Sequence, residues 1–563
     1  MQQLYEAKGL LSREFIGQIT YTFCLTDPLE ELDICLAFDK QHYESPSQVP
    51  VEELVDYCRL RYNTSAYEAM SREQLAELFF RETKTEIHIS AFLNDEFIGC
   101  IHKQLTCRHM HFGPGELSQG CIMPERLEGV LKVTVLVFQV LLDDTPYTVT
   151  IKGKKLENCK EAEQKMITKA ETAEAESDIA KTEADAPETK NTKTESPQKF
   201  LRLELHNHTT ESDASLSCQD LLDHMAADGV DAFALTDHNT ISGHPKMKAL
   251  LEETPNSIQC IYGMEYTTYY GHILCLNLRE YVPWDSIDPR RPELIFRKIR
   301  STGALAGIAH PFSYGYPFAT GCRFEMQMTD YSDVDFIEIF NNPEPLKEVN
   351  EPALLLWEKL ILAGWHIAVT CGMDLHGKWK LAGNYATFVQ DRGLPASEAL
   401  DLAVRERCTW VSKGPLLAAE NLPEQRCTVF RILDGGKPGC PVDPGKTYLM
   451  TLRLSGGTIE ERISPDSPLS IPWEKFAHLA ALDLGDSGAG ISDPLCPVIP
   501  KLYEEAAEPE SLLCVSPVLY LPLTPRQTTS PTAVTASHPA TVAPHPNPST
   551  IRPMEKVETA VPR

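Results

Sequence analysis

Histidines and carboxylates recur in this chain as short pairs at the ends of apolar runs. The first set lies in Leu203–Gly243, which holds His206, His208, Asp213, Asp237 and His238. In an extended strand, residues i and i+2 share a face, so His206 and His208 converge on one point while Asn207 faces away. Asp213 follows a short polar turn and can reach back. Further along come Glu265 in Gly263–Met264–Glu265, His272 opening HILCLNL, His310 in His310–Pro311, and Asp374 and His376 in Met373–Asp374–Leu375–His376. Mixed imidazole and carboxylate sets suit divalent metals such as Zn, Mn or Fe. His206, His208, Asp213, His238, Glu265, His272, His310, Asp374 and His376 are too many for one ion and suit two or three. One carboxylate would then be shared, and Glu265, midway through the set, is the natural bridge. Close metal pairs activate water and clamp both the attacking and the leaving oxygen of a phosphate ester. Asp213, His238, His376 and Asp237 are the candidates for catalytic work at the rim of such a centre. A lone His-x-His is a weak signal; two clusters at the ends of neighbouring buried strands are a stronger one. His109-x-His111 is another such pair, but nothing near it in the sequence supplies a carboxylate or a further histidine, so a structural role is expected.

These residues need strands to carry them. Ser217 reads as a helix N-cap with Asp220 completing the box, and Gly229 marks the end of that helix. Val230–Leu235 is a buried strand delivering Asp237 and His238 at its C-terminal end. Strand patterns follow at Ser257–Thr267, His272–Leu278, Ala304–His310, Val334–Phe340 and His366–Gly372, with helical ones at Ile295–Gly303 and Leu354–Gly364. Strand–helix alternation with polar residues at strand C-termini predicts an α/β fold, a parallel barrel, over residues 200–412. Glu338 and Asn341 sit at another strand end, where contact with substrate or water and a structural role are equally open. His244, Arg290, Arg291, Lys378 and Lys380 are loop cations that can meet a substrate phosphate or simply face solvent.

Residues 1–151 read as an accessory β-rich domain, a sandwich with a helical insertion over Glu52–Glu82. Residues 152–199 are a Lys/Glu/Ala/Thr linker without a core-forming stripe. Residues 413–523 form a second small β-rich domain, with turns at Gly435–Gly436 and Pro438–Gly439, and 524–563 a disordered Pro/Thr-rich tail.

The net charge of −28 argues against a general binder of duplex nucleic acid. A small nucleotide or short oligonucleotide substrate stays open, since metals supply local positive charge. No signal peptide or membrane-length apolar run is visible, so a cytoplasmic protein with no membrane partner is expected. The 17 cysteines, odd in number and without C-x-x-C pairs, suit reduced, mostly buried thiols. The sequence does not set the oligomeric state.

His206-x-His208 with Asp213, the block Thr236–Asp237–His238–Asn239, Gly263-x-Glu265, Ala309–His310–Pro311 and Gly372-x-Asp374-x-His376 together resemble the PHP (polymerase and histidinol phosphatase) superfamily. The resemblance implies a distorted (β/α)7 barrel flanked by two small β-rich domains, and a trinuclear metal site. It implies one ion on His206, His208, Glu265 and Asp374, a second on Glu265, His272 and His310, and a third on Asp213, His238 and His376. Asp237 would then orient imidazoles rather than bind metal. The flanking β regions resemble the CehA/McbA-type branch. The implied function is hydrolysis of a small phosphorylated substrate by a metal-bridging hydroxide in a di- or trinuclear centre. Carboxylic or carbamate ester hydrolysis on the same centre, and a non-catalytic PHP interaction module, are the alternatives.

Overall fold

Two runs of alternating apolar and polar residues open the chain as strands that flank one later strand on its two sides. These are β1 (Gln2–Leu11) and β2 (Gly17–Phe38), the second a single long strand. Its partner changes along its length: Gly17–Leu25 pairs with β7 (Leu127–Gln139), whereas Leu29–Phe38 pairs with β8 (Thr145–Lys155). The irregularity between Leu25 and Leu29, where Pro28 can donate nothing to a ladder, marks the switch. With β3 (Glu86–Leu93), β4 (Glu96–Ile101), β5 (Cys107–Gly113) and β6 (Glu116–Leu117), these strands form one eight-stranded sheet. Among the described residues, the predicted helical insertion holds two helices, α1 (Val51–Arg61) and α2 (Arg72–Glu82), the second opened by a Ser71–Gln74 capping box.

The computed structural model describes residues 1–13, 15–62, 69–103, 105–156, 199–254, 258–284, 288, 290–436, 440–480 and 495–522. Most of the predicted linker, the Pro438–Gly439 turn and the predicted tail lie outside the described residues.

The central region is mixed α/β. Its strands are β9 (Phe200–Glu204), β10 (Ala232–Leu235), β11 (Gln259–Thr268), β12 (Gly271–Leu276), β13 (Leu305–Ile308), β14 (Phe336–Asn341), β15 (Ala368–Gly372), β16 (Ala386–Gln390) and β17 (Trp410–Ser412). Every residue of β10, β12, β13 and β15 is buried, as expected of strands covered on both faces. Helices α3 (Cys218–Ala227), α4 (Gly243–Glu253), α5 (Glu293–Ser301), α6 (Glu351–Leu362) and α7 (Ala396–Glu406) fall between strands. The Ser217–Asp220 capping box opens α3 as predicted, and Gly229 follows its end with φ +66°. In α5, Ile295, Phe296 and Ile299 face the core while Arg297, Lys298 and Arg300 lie on the other side.

Regular parallel alternation is broken at several points, among them β16, which runs antiparallel to both β9 and β17. Strands β11 and β12 form an antiparallel hairpin, and β12 is antiparallel to β13 as well. The Tyr269–Tyr270 connection is too short for the crossover that a parallel pair needs. Gly271 leaves that turn at φ +145°, where an added Cβ would run into Phe324. The β13–β14 connection contains no helix. The sheet order is β15-β14-β13-β12-β11-β10-β9-β16-β17, yet an isolated parallel bridge joins Asn207, beyond β9, to Leu375, beyond β15. Strands distant in sheet order therefore meet, and the sheet curls until its histidine-bearing ends converge.

The C-terminal strands are β18 (Pro415–Leu422), β19 (Cys427–Asp434), β20 (Tyr448–Leu454), β21 (Gly457–Ile463), β22 (Leu469–Pro472), β23 (Cys496–Tyr503), β24 (Leu512–Val515) and β25 (Leu519–Leu521), with a short helix α8 (Trp473–Ala477). Strand β24 pairs with β17, so β20, β21, β23 and β24 continue the central sheet, and β25 pairs with β23. Strands β18, β19 and β22 form a separate three-stranded sheet. A buried Lys501–Glu358 ion pair at 2.5 Å ties β23 to α6. The N-terminal sheet also packs on the central region: Leu136 and Phe138 share a core with Met264, Tyr266 and Ile273. Among the described residues, no helix is long and apolar enough to cross a membrane.

Candidate metal centre

The ends of β9, β10, β13 and β15 each extend by one polar step. His206 and His208 follow β9, Asp237 and His238 follow β10, His310 follows β13, and Asp374 and His376 follow β15. Glu265 and His272 lie within β11 and β12, where Thr267 faces His272, so period-two alternation puts the carboxylate and the imidazole on one face. All nine predicted ligands come together.

Glu265 is fully buried at the middle. Its Oε1 lies 2.8 Å from His272 Nδ1 and 2.9 Å from His310 Nε2. Its Oε2 lies 2.9 Å from His238 Nδ1, 3.2 Å from His206 Nε2 and 3.3 Å from His208 Nε2. Asp374 Oδ1 is 2.9 Å from His208 Nε2 and 3.4 Å from His206 Nε2. At the outer side, Asp213 Oδ1 is 3.3 Å from His376 Nε2 and 3.6 Å from His238 Nε2. Donor atoms of His206, His208, Glu265 and Asp374 cluster tightly enough to hold one cation, as do those of His208, Asp213, His238 and His376.

Several of these contacts are close but misdirected for hydrogen bonding. His206 Nε2, His208 Nδ1, Asp213 Oδ1, Glu265 Oε2, His272 Nε2 and His310 Nδ1 are buried without a hydrogen-bond partner. Orphaned polar atoms at this density are costly in a native core. Three of them, His206 Nε2, Asp213 Oδ1 and Glu265 Oε2, lie between imidazole and carboxylate groups, so a divalent cation among them would satisfy atoms that protein alone leaves unpaired. The donor set therefore fits metal.

Electrostatics follow the same geometry. Burial alone would push the Glu265, Asp213 and Asp374 carboxyls up, but the surrounding imidazoles win and hold all three well below the usual carboxylate range. Burial would lower the histidines, yet Asp374 and Asp213 raise His376 to about 10, and Glu265 raises His310 to about 9. Glu204, at the buried end of β9, is pushed up by burial to about 8 and accepts the Met373 N–H at 2.7 Å.

The supporting groups differ from the expectation. Asp237 touches no imidazole in the hydrogen-bond network: its carboxylate accepts from the Thr209 N–H at 2.7 Å, the Thr209 hydroxyl at 2.8 Å and the Ser212 hydroxyl at 2.6 Å. It fixes the loop between His208 and Asp213. Glu338 lies against two of the histidines, and Asn341 against one of the carboxylates. Glu338 Oε1 lies 3.1 Å from His206 Nδ1, and its Oε2 accepts the His310 N–H at 2.9 Å. Asn341 donates to Asp374 Oδ2 at 3.1 Å. Thr267, which the sequence did not flag, places its hydroxyl 2.5 Å from His238 Nδ1. His102 of the N-terminal sheet was also missed. Its ring lies 4.4 Å from that of His238, and its Nε2 is 4.0 Å from Asp213 Oδ2. Its sequence signal is faint, because it follows β4 more than a hundred residues upstream of the other rim groups.

The loop cations do not gather at the site. His244 Nε2 lies 2.8 Å from the Gly263 carbonyl, Arg290 pairs with Asp288, Arg291 with Glu293, and Lys378 with Asp220. Lys380 is exposed.

Residues 204–287 match the PHP domain, and residues 1–158 match a family of unknown function (DUF6669). An uncharacterized protein of Methanocaldococcus jannaschii is 35% identical over 116 residues, covering 20% of this chain and 59% of that protein. A two-domain protein from Bacteroides vulgatus, containing a predicted PHP-like metal-dependent phosphoesterase, is 15% identical. It covers 59% of this chain and 100% of its own at a TM-score of 0.34. The structure of a putative metal-dependent phosphoesterase from Bifidobacterium adolescentis is 14% identical, with 36% of this chain and 96% of its own covered and a TM-score of 0.26.

Proposed function

Because this chain carries a PHP domain and so belongs to the PHP superfamily, we propose that it is a metal-dependent hydrolase of small phosphoesters. The observation that carries the reading is Glu265: a buried carboxylate with imidazoles against both oxygens and orphaned donor atoms around it. In this reading the curled central sheet is the distorted (β/α)7 barrel. His206, His208, Glu265 and Asp374 hold one ion, Glu265, His272 and His310 a second, and Asp213, His238 and His376 a third. Zn, Mn and Fe all suit such donors.

Bound divalent ions supply water activation at neutral pH and neutralise charge on the phosphoryl oxygens. The chain's own residues do the rest. Glu338 and Asn341 hold His206 and Asp374 in one orientation. The buried inner groups exclude bulk water. Asp213 and His376, with side chains 20% and 32% exposed, form the open rim. When the third position holds no ion, His376 Nε2, against Asp213 Oδ1, is the group placed to hold a proton and pass it to a leaving oxygen. The substrate is a small phosphorylated molecule, nucleotides and short oligonucleotides included, and the location is the cytoplasm.

The test is elemental analysis of the purified chain, followed by a panel of phosphomonoesters, phosphodiesters, nucleotides and carboxylic esters. Turnover of phosphoesters that is lost in His208→Ala supports the reading. Turnover of carboxylic or carbamate esters alone would move the chain to the ester chemistry suggested by its likeness to the CehA/McbA-type branch. Full turnover in His208→Ala would refute a metal mechanism altogether.

A further inference from the structure

A second constellation lies on the solvent side of the N-terminal sheet and shares no residue with the centre above. Strands β2 and β5 pair so that Cys35 faces His109, and Asp33 faces His111. Cys107 stands two residues before His109, on the same face of β5. Three soft or borderline donor atoms meet as a result. Cys35 Sγ lies 3.6 Å from Cys107 Sγ and 3.5 Å from His109 Nε2, and Cys107 Sγ lies 3.3 Å from His109 Nε2.

These separations can be compared with the edges of a metal tetrahedron. Zinc–sulfur bonds of about 2.3 Å and zinc–nitrogen bonds of about 2.0 Å put tetrahedral ligands roughly 3.8 Å apart for two sulfurs and roughly 3.5 Å apart for sulfur and nitrogen. The triangle on β2 and β5 has nearly those edges. On the far side of the imidazole a carboxylate lies near, beyond direct hydrogen-bond distance but close enough to attract a ring N–H. His109 Nδ1 lies 3.6 Å from Asp33 Oδ1, and His111 Nδ1 lies 3.8 Å from Asp33 Oδ2. Asp33 is the carboxylate that local sequence around His109 and His111 does not supply. With the His109 side chain 55% exposed and Cys107 also exposed, an ion can enter from solvent. Two thiols that merely hydrogen-bond, or that oxidise to a disulfide, account for the sulfur pair but not for an imidazole nitrogen at tetrahedral distance from both.

We propose that Cys35, Cys107 and His109 form a surface site for one thiophilic divalent cation of the zinc class, with Asp33 orienting His109 and the fourth coordination position open to solvent. The cation would clip β5 onto β2, and the open position would accept water or a small thiol or imidazole ligand. Two thiolates and one dication leave the site neutral, so binding adds no charge to this face.

Cobalt(II) titration of the full-length, reduced chain separates this site from the histidine–carboxylate centre, because only a thiolate ligand gives the intense sulfur-to-cobalt charge-transfer absorption. The expected result is a band that saturates at one equivalent, is displaced by zinc, and disappears in Cys35→Ser/Cys107→Ser. It survives in Cys24→Ser, an exposed cysteine elsewhere on β2, and in His208→Ala. His109→Gln should weaken cobalt binding about tenfold or more. Circular dichroism checks that each variant folds; the substituted side chains face solvent, and serine fits where cysteine stood. Absence of the band, or a band unchanged in Cys35→Ser/Cys107→Ser, overturns the proposal. So does a Cys35–Cys107 disulfide that takes up no cobalt after reduction.

Discussion

At the scale of single residues, the centre depends on who holds each imidazole. Glu338 accepts from the His310 backbone and lies against His206 Nδ1, leaving Nε2 free to face Glu265 and Asp374. Glu338→Gln keeps the shape and removes the charge that anchors the ring. Isothermal titration with Mn(II) or Zn(II) should show affinity lower by about 10–100-fold, the usual cost of losing such a partner. Asp237 predicts a different outcome. Its carboxylate is spent on Thr209 and Ser212, so Asp237→Ala leaves buried donors unsatisfied at about 1–3 kcal/mol. It should lower the thermal midpoint more than it lowers the metal affinity per folded molecule.

At the scale of elements, close approach of β15 to the end of β9 sets the site. Gly372 ends β15, and a Cβ there would overlap His206 and press on Glu338 Oε1. Gly372→Ala should therefore cost about 1–3 kcal/mol by overpacking and also displace the His206 ring, so denaturant melts and metal titrations should worsen together. Much of this element-level arrangement was legible in the sequence. Short buried runs ending in His or Asp announce themselves, and period-two spacing predicts which side chains converge, as for His206 with His208 and Asp374 with His376. What the sequence hid was pairing over distance. The antiparallel β11–β12 hairpin looks like two strands of a parallel fold, because its Tyr269–Tyr270 turn lacks the usual turn residues. The Cys35–His109 register joins strands far apart in sequence, so His109-x-His111 seemed to lack a carboxylate that Asp33 supplies. Orientation of His206 by Glu338 depends on strand order, which no local pattern encodes.

At the scale of the whole molecule, the metal-free protein sets imidazoles against carboxylates at the centre, and pH acts on these pairs with a definite sign. His376 and His310, raised to about 10 and about 9, gain stability from their carboxylate partners in the folded state. That contribution is complete below the unfolded histidine value of about 6.5 and is lost as pH rises through about 9–10. The depressed carboxyls contribute above their unfolded values, near 4, and lose that contribution as pH falls towards their lowered folded values. Metal-free protein should thus melt at lower temperature at pH 10 than at pH 7, whereas the metal-loaded protein should lose less, since cations replace the protons. The most direct test of the metal centre compares metal content after chelation and reloading in wild type and Glu265→Gln, read by elemental analysis on folded, full-length chains. The account predicts that wild type holds about two more equivalents of divalent ion than Glu265→Gln, since a shared carboxylate serves more than one ion. Equal metal content in the two proteins would contradict it.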